Sequence, residues 1–327
     1  MSHLVENNNS SENGLRVLSL FDGISCGRIA LDRAGFKVKD YYAYEIEQNA
    51  IKISRYNYPS IYQCGDVFDE DFSKYDGIDL LIGGSPCTEF SVAKCSKTAK
   101  HKREVVPGGD GWKLFMQYVR ALHESKPKYF LYENNYGIAD SIRDAITKEL
   151  GVEHVLLDSQ LVSAQRRKRL YWTNIPIKGE PEDRGILVKD VIVNDSELIK
   201  QFDDRIRNTL VKCENYIKYD LSGKGHFSQQ DRMYFLNNKA PTVPRCRTET
   251  KFNVWLGGET YKKTCPVEIE RLQTLPDGYT EFGLNEDGSI VKMPKTRRFE
   301  AIGNGWTVDI IAWIFSFMKE KQDANNS

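Results

Sequence analysis

Ile78-Asp79-Leu80-Leu81-Ile82-Gly83-Gly84-Ser85-Pro86-Cys87 is an apolar run that breaks on glycine and ends on a proline–cysteine pair. A short, nearly uncharged run bounded by turn residues predicts a strand buried on both faces. Such strands build open α/β sheets, and ligands meet those sheets just past the carboxyl ends of the strands. Proline fixes φ there and aims the cysteine, whose thiolate is a strong nucleophile. A cysteine standing alone is more often a small buried hydrophobe. Its company therefore decides the reading.

Outward from that run, strand and helix patterns alternate. Residues 15–20 (LRVLSL) predict a buried strand, closed by Phe21-Asp22-Gly23-Ile24-Ser25-Cys26-Gly27. A helix follows through Ala34, with Gly35 as its C-terminal cap. A strand over 41–44 ends in Glu45 and leads into a helix over 47–56; a short strand near 61–64 precedes Asp66. Beyond the quoted run come a helix over 112–124 and a strand over 128–132. This alternation predicts an α/β fold, a parallel sheet with helices on both faces. Residues 14–180 form the main domain in this reading. Charged, irregular sequence over 181–264 marks a second, smaller region, and 265–327 returns to the main domain with an apolar helix over 308–319. Residues 1–13, rich in Asn, Ser and Glu, read as a disordered tail without the apolar core of a signal peptide.

The 327 residues carry 46 Lys plus Arg against 46 Asp plus Glu, so global charge selects no partner and local clusters must. Seven scattered cysteines without a Cys-x-x-Cys pair argue against a disulfide framework and a zinc site. Reduced thiols fit the cytoplasm or nucleus. No segment is expected to be apolar for long enough to span a bilayer.

The predicted strand ends carry a nucleoside-type site. Gly23 and Gly27 let backbone approach a ligand beside a helix N-terminus. Glu45 is placed to accept hydrogen bonds from ribose hydroxyls, and Asp66 from an adenine amino group. Each acid alone reads more readily as a solvated loop carboxylate; three features on successive strand ends favour a ligand. The chain has neither G-x-G-x-x-G spacing nor a P-loop. A nucleoside without a phosphate cradle suits S-adenosylmethionine better than NAD or ATP.

Phe21-Asp22-Gly23, Glu45, Asp66, Pro86-Cys87, Tyr132-Glu133-Asn134, Gln165-x-Arg167-x-Arg169, Pro266-x-Glu268-x-x-Arg271-Leu272-Gln273 and Gly303-Asn304 occur in that order. From about Leu15 to Phe317 the chain resembles the DNA (cytosine-5) methyltransferase family. Gly83-Gly84-Ser85-Pro86-Cys87 with Ser91, and the block from Lys251 to Tyr279 followed by Gly305-Trp306, are similar to the de novo branch found in animals. The resemblance implies a Rossmann-like methyltransferase sheet with a small target-recognition region over 181–264. It implies methyl transfer from S-adenosylmethionine, leaving S-adenosylhomocysteine, to carbon 5 of a cytosine flipped out of double-stranded DNA.

Cys87 would then attack carbon 6, and Glu133 would bond to N3 and the exocyclic amino group, for which it must carry or share a proton. Arg169 would donate to O2, and Arg167 would position the catalytic loop or the thiolate. Phe21, Asp22, Gly23, Ile24, Glu45, Ile46, Asp66, Val67, Pro86, Asn304 and Trp306 would line the cofactor site. Ser85, Gln165, Arg245 and Arg247 would meet DNA, the arginines being suited to guanine O6 and N7. Further basic clusters are Lys94, Lys97, Lys100, Lys102 and Arg103; Arg166 to Arg169; Lys251; and Lys292, Lys295, Arg297 and Arg298. Each also reads as an ordinary solvated face. Thr88–Gly111 would be a loop over the flipped base, hinged at Gly108-Gly109-Asp110-Gly111, and Ser222–His226 an exposed loop. One departure stands out: Asn135 occupies the position after Glu-Asn where the family usually has valine, which alters the pocket wall. An RNA cytosine methyltransferase and a silent DNA-binding homologue remain alternatives.

Overall fold

The computed structural model describes residues 14–86, 90, 104–220, 229–245, 247 and 250–324. Seven strands form the main sheet: β1 (Leu15–Leu20), β2 (Val38–Tyr44), β3 (Tyr62–Gln63), β4 (Leu80–Gly83), β5 (Tyr129–Asn135), β6 (His154–Asp158) and β7 (Lys168–Thr173). Their order is β3-β2-β1-β4-β5-β7-β6. The first five strands are parallel, whereas β7 lies antiparallel between β5 and β6. The wholly parallel sheet expected from the sequence is therefore corrected at this edge. The tight turn region between β6 and β7 brings the chain back beside its own strand, which no parallel crossover could do in so few residues.

Alternate residues of β1 feed two cores. Val17 packs on one face with α1 (Cys26–Arg33), α2 (Gln48–Asn57) and α9 (Val308–Ala324). Leu18 and Leu20 pack on the other with α3 (Asp110–Ser125) and α4 (Asp140–Leu150). The helices' boundaries follow local chemistry. Glu47 accepts the Ala50 N–H at 2.9 Å and so starts α2. Gly35, at φ +75°, ends the turn after α1 where a side chain would be strained.

The second region builds its own sheet between residues 199 and 263. After the short α5 (Val188–Val191) it contains β8 (Ile199–Gln201), α6 (Asp204–Thr209), β9 (Val211–Lys212), β10 (Tyr216–Lys218), β11 (Arg232–Phe235), β12 (Asn253–Gly257) and β13 (Thr260–Lys263). Phe202, Ile206, Ile217, Tyr219 and Met233 form its small core. The chain then re-enters the main domain through α7 (Pro266–Leu272), started by Pro266 and by Glu268 accepting the Cys265 N–H at 2.8 Å. α8 (Lys295–Asn304) precedes α9. Lys295–Lys319 does have the length and composition of a membrane span, contrary to the sequence expectation. It is two helices broken at 305–307, with Arg298 and Glu300 buried in the first and Ile310, Ile311, Ile314 and Phe315 in the core. Its apolar face is occupied by protein.

Candidate active site

The carboxyl ends of β1, β2 and β4 open on one side of the sheet, with the strand order reversing between β1 and β4. That reversal leaves the crevice in which open α/β sheets bind ligands. Phe21, Gly23 and Ser25 all have positive φ (58°, 61° and 60°), a tight turn that only Gly23 adopts without cost. Asp22 holds this turn. Its carboxylate accepts hydrogen bonds from Ser19 Oγ and Ser25 Oγ at 2.6 Å and from Tyr41 OH at 2.7 Å. Burial pushes Asp22 above the ordinary aspartate range, against the pull of those three hydroxyls. Tyr279 OH fastens the next residue by donating to the Ile24 carbonyl at 2.8 Å.

Glu45, at the end of β2, faces the same turn. One oxygen accepts the Gly23 N–H at 2.8 Å and the other the N–H groups of Ile46 and Glu47 at 2.9 Å. Burial raises this carboxyl too, with the backbone donors opposing. Ile46 beside it is 66% exposed, an apolar surface with nothing over it. Asp66 caps a single turn by accepting the Phe68 N–H at 3.1 Å, and Val67 is buried beneath.

The opposite wall comes from β5, β7 and the turn after α8. Register places Glu133 across from Tyr171 and Asn135 across from Arg169. Glu133 and Arg169 are thus diagonal neighbours on one face, within reach of a long side chain. Arg169 Nε lies 2.9 Å from Glu133 Oε1, both side chains being nearly buried. Trp306 Nε1 donates to Glu133 Oε2 at 3.0 Å. Each carboxylate oxygen therefore has its own donor, one cationic and one neutral.

Close packing ties the two walls together. A Cβ on Gly84 would lie 2.9 Å from Glu133 Oε2 and 3.4 Å from Trp306 Nε1. One on Gly27 would lie 2.3 Å from Ile82 Cδ1 and 3.6 Å from the Trp306 ring. The indole thus bridges the first turn of α1 and the Glu133 carboxylate. Below it, burial pushes the Cys26 thiol up to about 12, and the Trp306 backbone bonds to that sulfur.

Residues 15–320 match the family described as C-5 cytosine-specific DNA methylase. The chain belongs to that family. The orphan methyltransferase M.SPRI of Bacillus phage SPR is 32% identical over 204 residues, covering 58% of this chain and 45% of that protein. The match thus spans about half the length of that relative. The type II methyltransferase M.Bsp6I of Bacillus sp. (strain RFL6) is 23% identical over 321 residues, 91% of this chain and 96% of the other. A solved structure, the S. pombe Dnmt2 methyltransferase, covers 94% of this chain and 99% of its own at a TM-score of 0.66 and 15% identity, a likeness of fold.

Against the family's ordered motifs, the structure redistributes several residues. Cys87 lies outside the described residues, as do Ser91, residues 94–103 of the basic loop and Ser222–His226. Pro86 is exposed and Asn304 is exposed beside the site. Arg167 is buried and donates to the carbonyls of Val243, Gly303 and Gly305 at 3.0, 3.4 and 3.1 Å. It holds the turn that carries Trp306. Gln165, expected to face DNA, is fully buried instead. Its amide donates to Leu272 O and Gln273 Oε1 at 3.0 Å and accepts the Val243 N–H at 2.7 Å, so its hydrogen-bonding capacity is used inside the protein. Ser85 is likewise buried, 2.6 Å from Tyr132 OH.

Among the basic clusters, Lys251 is buried and donates to Pro244 O, and Arg298 pairs with Glu270 at 2.9 Å. Neither faces solvent. Arg245, Arg247 and Arg297 do remain partly exposed, gathered around Glu300 at 3.6, 2.6 and 3.1 Å. Three guanidiniums around one carboxylate leave local positive charge. Asn135 spends its Oδ1 on the Gly137 N–H at 3.0 Å, shaping the turn after β5. Of the expected hinge, Gly108 has φ 124° while Asp110 and Gly111 already belong to α3. Glu104 clamps that helix start by accepting the N–H groups of Gly109, Gly111 and Trp112.

The link from Trp306 to Glu133 spans 173 residues of sequence and carried no signal in it. Composition shows an indole near the C-terminus; only the fold shows what its N–H meets.

Proposed function

We propose that this chain is a DNA (cytosine-5) methyltransferase that takes its methyl group from S-adenosylmethionine. The observation that carries the reading is Glu133, bracketed by Arg169 and by Trp306, whose indole also packs near Gly27 in the first turn of α1, just past the Asp22 turn. The strand ends fit the cofactor: a Cβ on Gly84 would collide with Glu133 Oε2, and Glu45 and the exposed Ile46 offer acceptor and apolar surface side by side. When bound, the cofactor supplies an electrophilic methyl group.

The chain's own residues do the rest. Glu45 would accept from the ribose hydroxyls, Asp66 from the adenine amino group, with Ile46 and Val67 against the ring. Phe21, Asp22, Gly23 and Ile24 shape the turn beneath it, and Pro86, Asn304 and Trp306 complete the wall. Cys87 would add to carbon 6 of cytosine, and carbon 5 would take the methyl group. Removal of the carbon 5 proton by a base would then break the Cys87–carbon 6 bond and free the thiolate. Glu133 would accept from the exocyclic amine with a lone pair that Arg169 and Trp306 leave, since each carboxylate oxygen accepts twice, and would reach N3 through a proton that it carries or shares. Arg169 would steady that carboxyl and meet the charge that develops at O2. Arg167 would act through the Trp306 turn.

Carbons 5 and 6 are reachable only in a base taken out of the stack, at a cost of a few kcal/mol. Phosphate contacts compensate. Arg245 and Arg247, beside Arg297, are the partly exposed cations for that contact, and the sheet over 199–263 is the target-recognition region. The phage and bacterial origin of the relatives favours work in the cytoplasm.

Tritiated S-adenosylmethionine incubated with the protein and mixed duplex DNA, followed by digestion, tests the reading. Label in 5-methylcytosine is expected. Label appearing only with RNA would move the substrate to RNA, and cofactor binding without transfer would leave a DNA-binding homologue.

A further inference from the structure

Three polar side chains meet in the core where the segment after β4 passes the end of β5. Ser85 Oγ lies 2.6 Å from Tyr132 OH, and Asn134 Nδ2 donates to the same hydroxyl at 3.0 Å. All three residues are buried, with Tyr132 fully so. Asn134 Oδ1 accepts the Asn135 N–H at 2.8 Å, so the amide also fixes the chain just past Glu133. The Tyr132 ring is wedged among Phe115, Tyr118 and Trp172, with centroids at 5.1, 4.9 and 5.8 Å. Its hydroxyl is therefore delivered to a position set by packed aromatic rings.

That position lies between the ends of two neighbouring strands. Gly83 pairs with Tyr132 in the β4–β5 register, and Gly84 abuts Glu133. A buried polar group is costly unless it is bonded, and a fully bonded network rigidifies what it joins. We propose that Tyr132 is a positioning residue. Its hydroxyl locks the Ser85–Pro86 segment to the strand end carrying Glu133, and because Cys87 follows Pro86 in the chain this lock would bear on how nucleophile and carboxyl meet. The inference rests on the reading of Cys87 and Glu133 given above. Ser85 acts here as the anchor of that turn.

Tyr132→Phe keeps the ring and removes only the hydroxyl. It should lower kcat about tenfold while KM for S-adenosylmethionine stays within about twofold, because misplacing reacting groups costs rate without costing cofactor contacts. Formation of the covalent adduct on duplex DNA containing 5-fluorocytosine, whose carbon 5 has no proton to lose, should slow in parallel. Combining it with Ser85→Ala removes one of the two partners that lose their bond to the hydroxyl, the other being Asn134. Thermal stability should recover in part in the double variant and the rate should not. A wild-type kcat in Tyr132→Phe, or a rate that recovers in step with stability, overturns the proposal. If Tyr132→Phe does not fold, Ser85→Ala alone leaves the aromatic cluster intact and must show the same loss of kcat. Should Cys87→Ser and Glu133→Gln both keep turnover, the underlying reading fails instead; if they lose it while Tyr132→Phe does not, this inference alone fails.

Discussion

The two sides of the site hold carboxylates in opposite ways. On the β1–β2 side, Asp22 and Glu45 are bonded by hydroxyls and backbone N–H groups, and burial raises both above the ordinary range. On the β5–β7 side, Glu133 sits against the Arg169 guanidinium and an indole. Neutral donors can be exchanged for the neutral hydroxyls of a nucleoside at little electrostatic cost. A cation beside a carboxylate instead builds a fixed field, which is what charge developing on a base requires. Under the proposed function, the difference assigns binding to the first side and chemistry to the second.

The comparison predicts which variants fail in which way. Cys87→Ser should abolish turnover and spare cofactor binding, measured by methyl transfer and by calorimetric titration; retained activity would sink the mechanism. Glu133→Gln should lower kcat by about 10²- to 10⁴-fold, the range of a lost general acid–base group. Arg169→Ala should follow at about 10²- to 10³-fold, as for a lost charge-stabilising donor. In neither should the cofactor dissociation constant move by more than a few fold. Glu45→Gln should do the reverse, weakening cofactor affinity by about tenfold, as expected for hydrogen bonds to a charged group, with kcat at saturation nearly unchanged. A large kcat loss in Glu45→Gln would erase the distinction between the walls.

The smallest effect concerns pH. A carboxyl whose folded pKa is raised binds its proton more readily folded than unfolded. The stability that Glu45 contributes is thus fully present below its unfolded value, near 4.3, and is lost as pH rises through the folded value. Glu300 is opposite: burial pulls its pKa up, but Arg247 and Arg297 outweigh that and lower it. Its contribution is present above its unfolded value and lost as pH falls through the folded one. Melting of the cofactor-free protein between about pH 3 and 7 should therefore show Glu45→Gln gaining on wild type as pH rises and Glu300→Gln gaining as pH falls. Parallel curves for the two variants would remove the electrostatic contrast. Raising salt should shrink the Glu300 difference more, its arginines being the more exposed.

Legibility of the site followed the same division. The Asp22–Glu45 wall is built from consecutive parallel units, so each acid could be placed at a strand end by counting residues. The opposite wall depends on β7 running backwards, which brings Arg169 diagonal to Glu133, and on Arg167 holding the distant turn of Trp306. Gln165 and Ser85 show where counting misleads. Polar residues beside a motif read as ligand-facing, yet both are buried because their partners, Val243, Leu272 and Tyr132, are supplied by other elements.

By itself, the sequence determined the α/β class, the family and the order of the site's residue types. These are written in local periodicity and in short motifs whose spacing a strand end or helix start imposes. The tertiary structure alone decided which donor each carboxylate meets, which basic residues face solvent and which polar groups lie in the core. Those outcomes depend on antiparallel register and on contacts between residues from 47 to 173 positions apart, where the chain carries no local physical constraint to read.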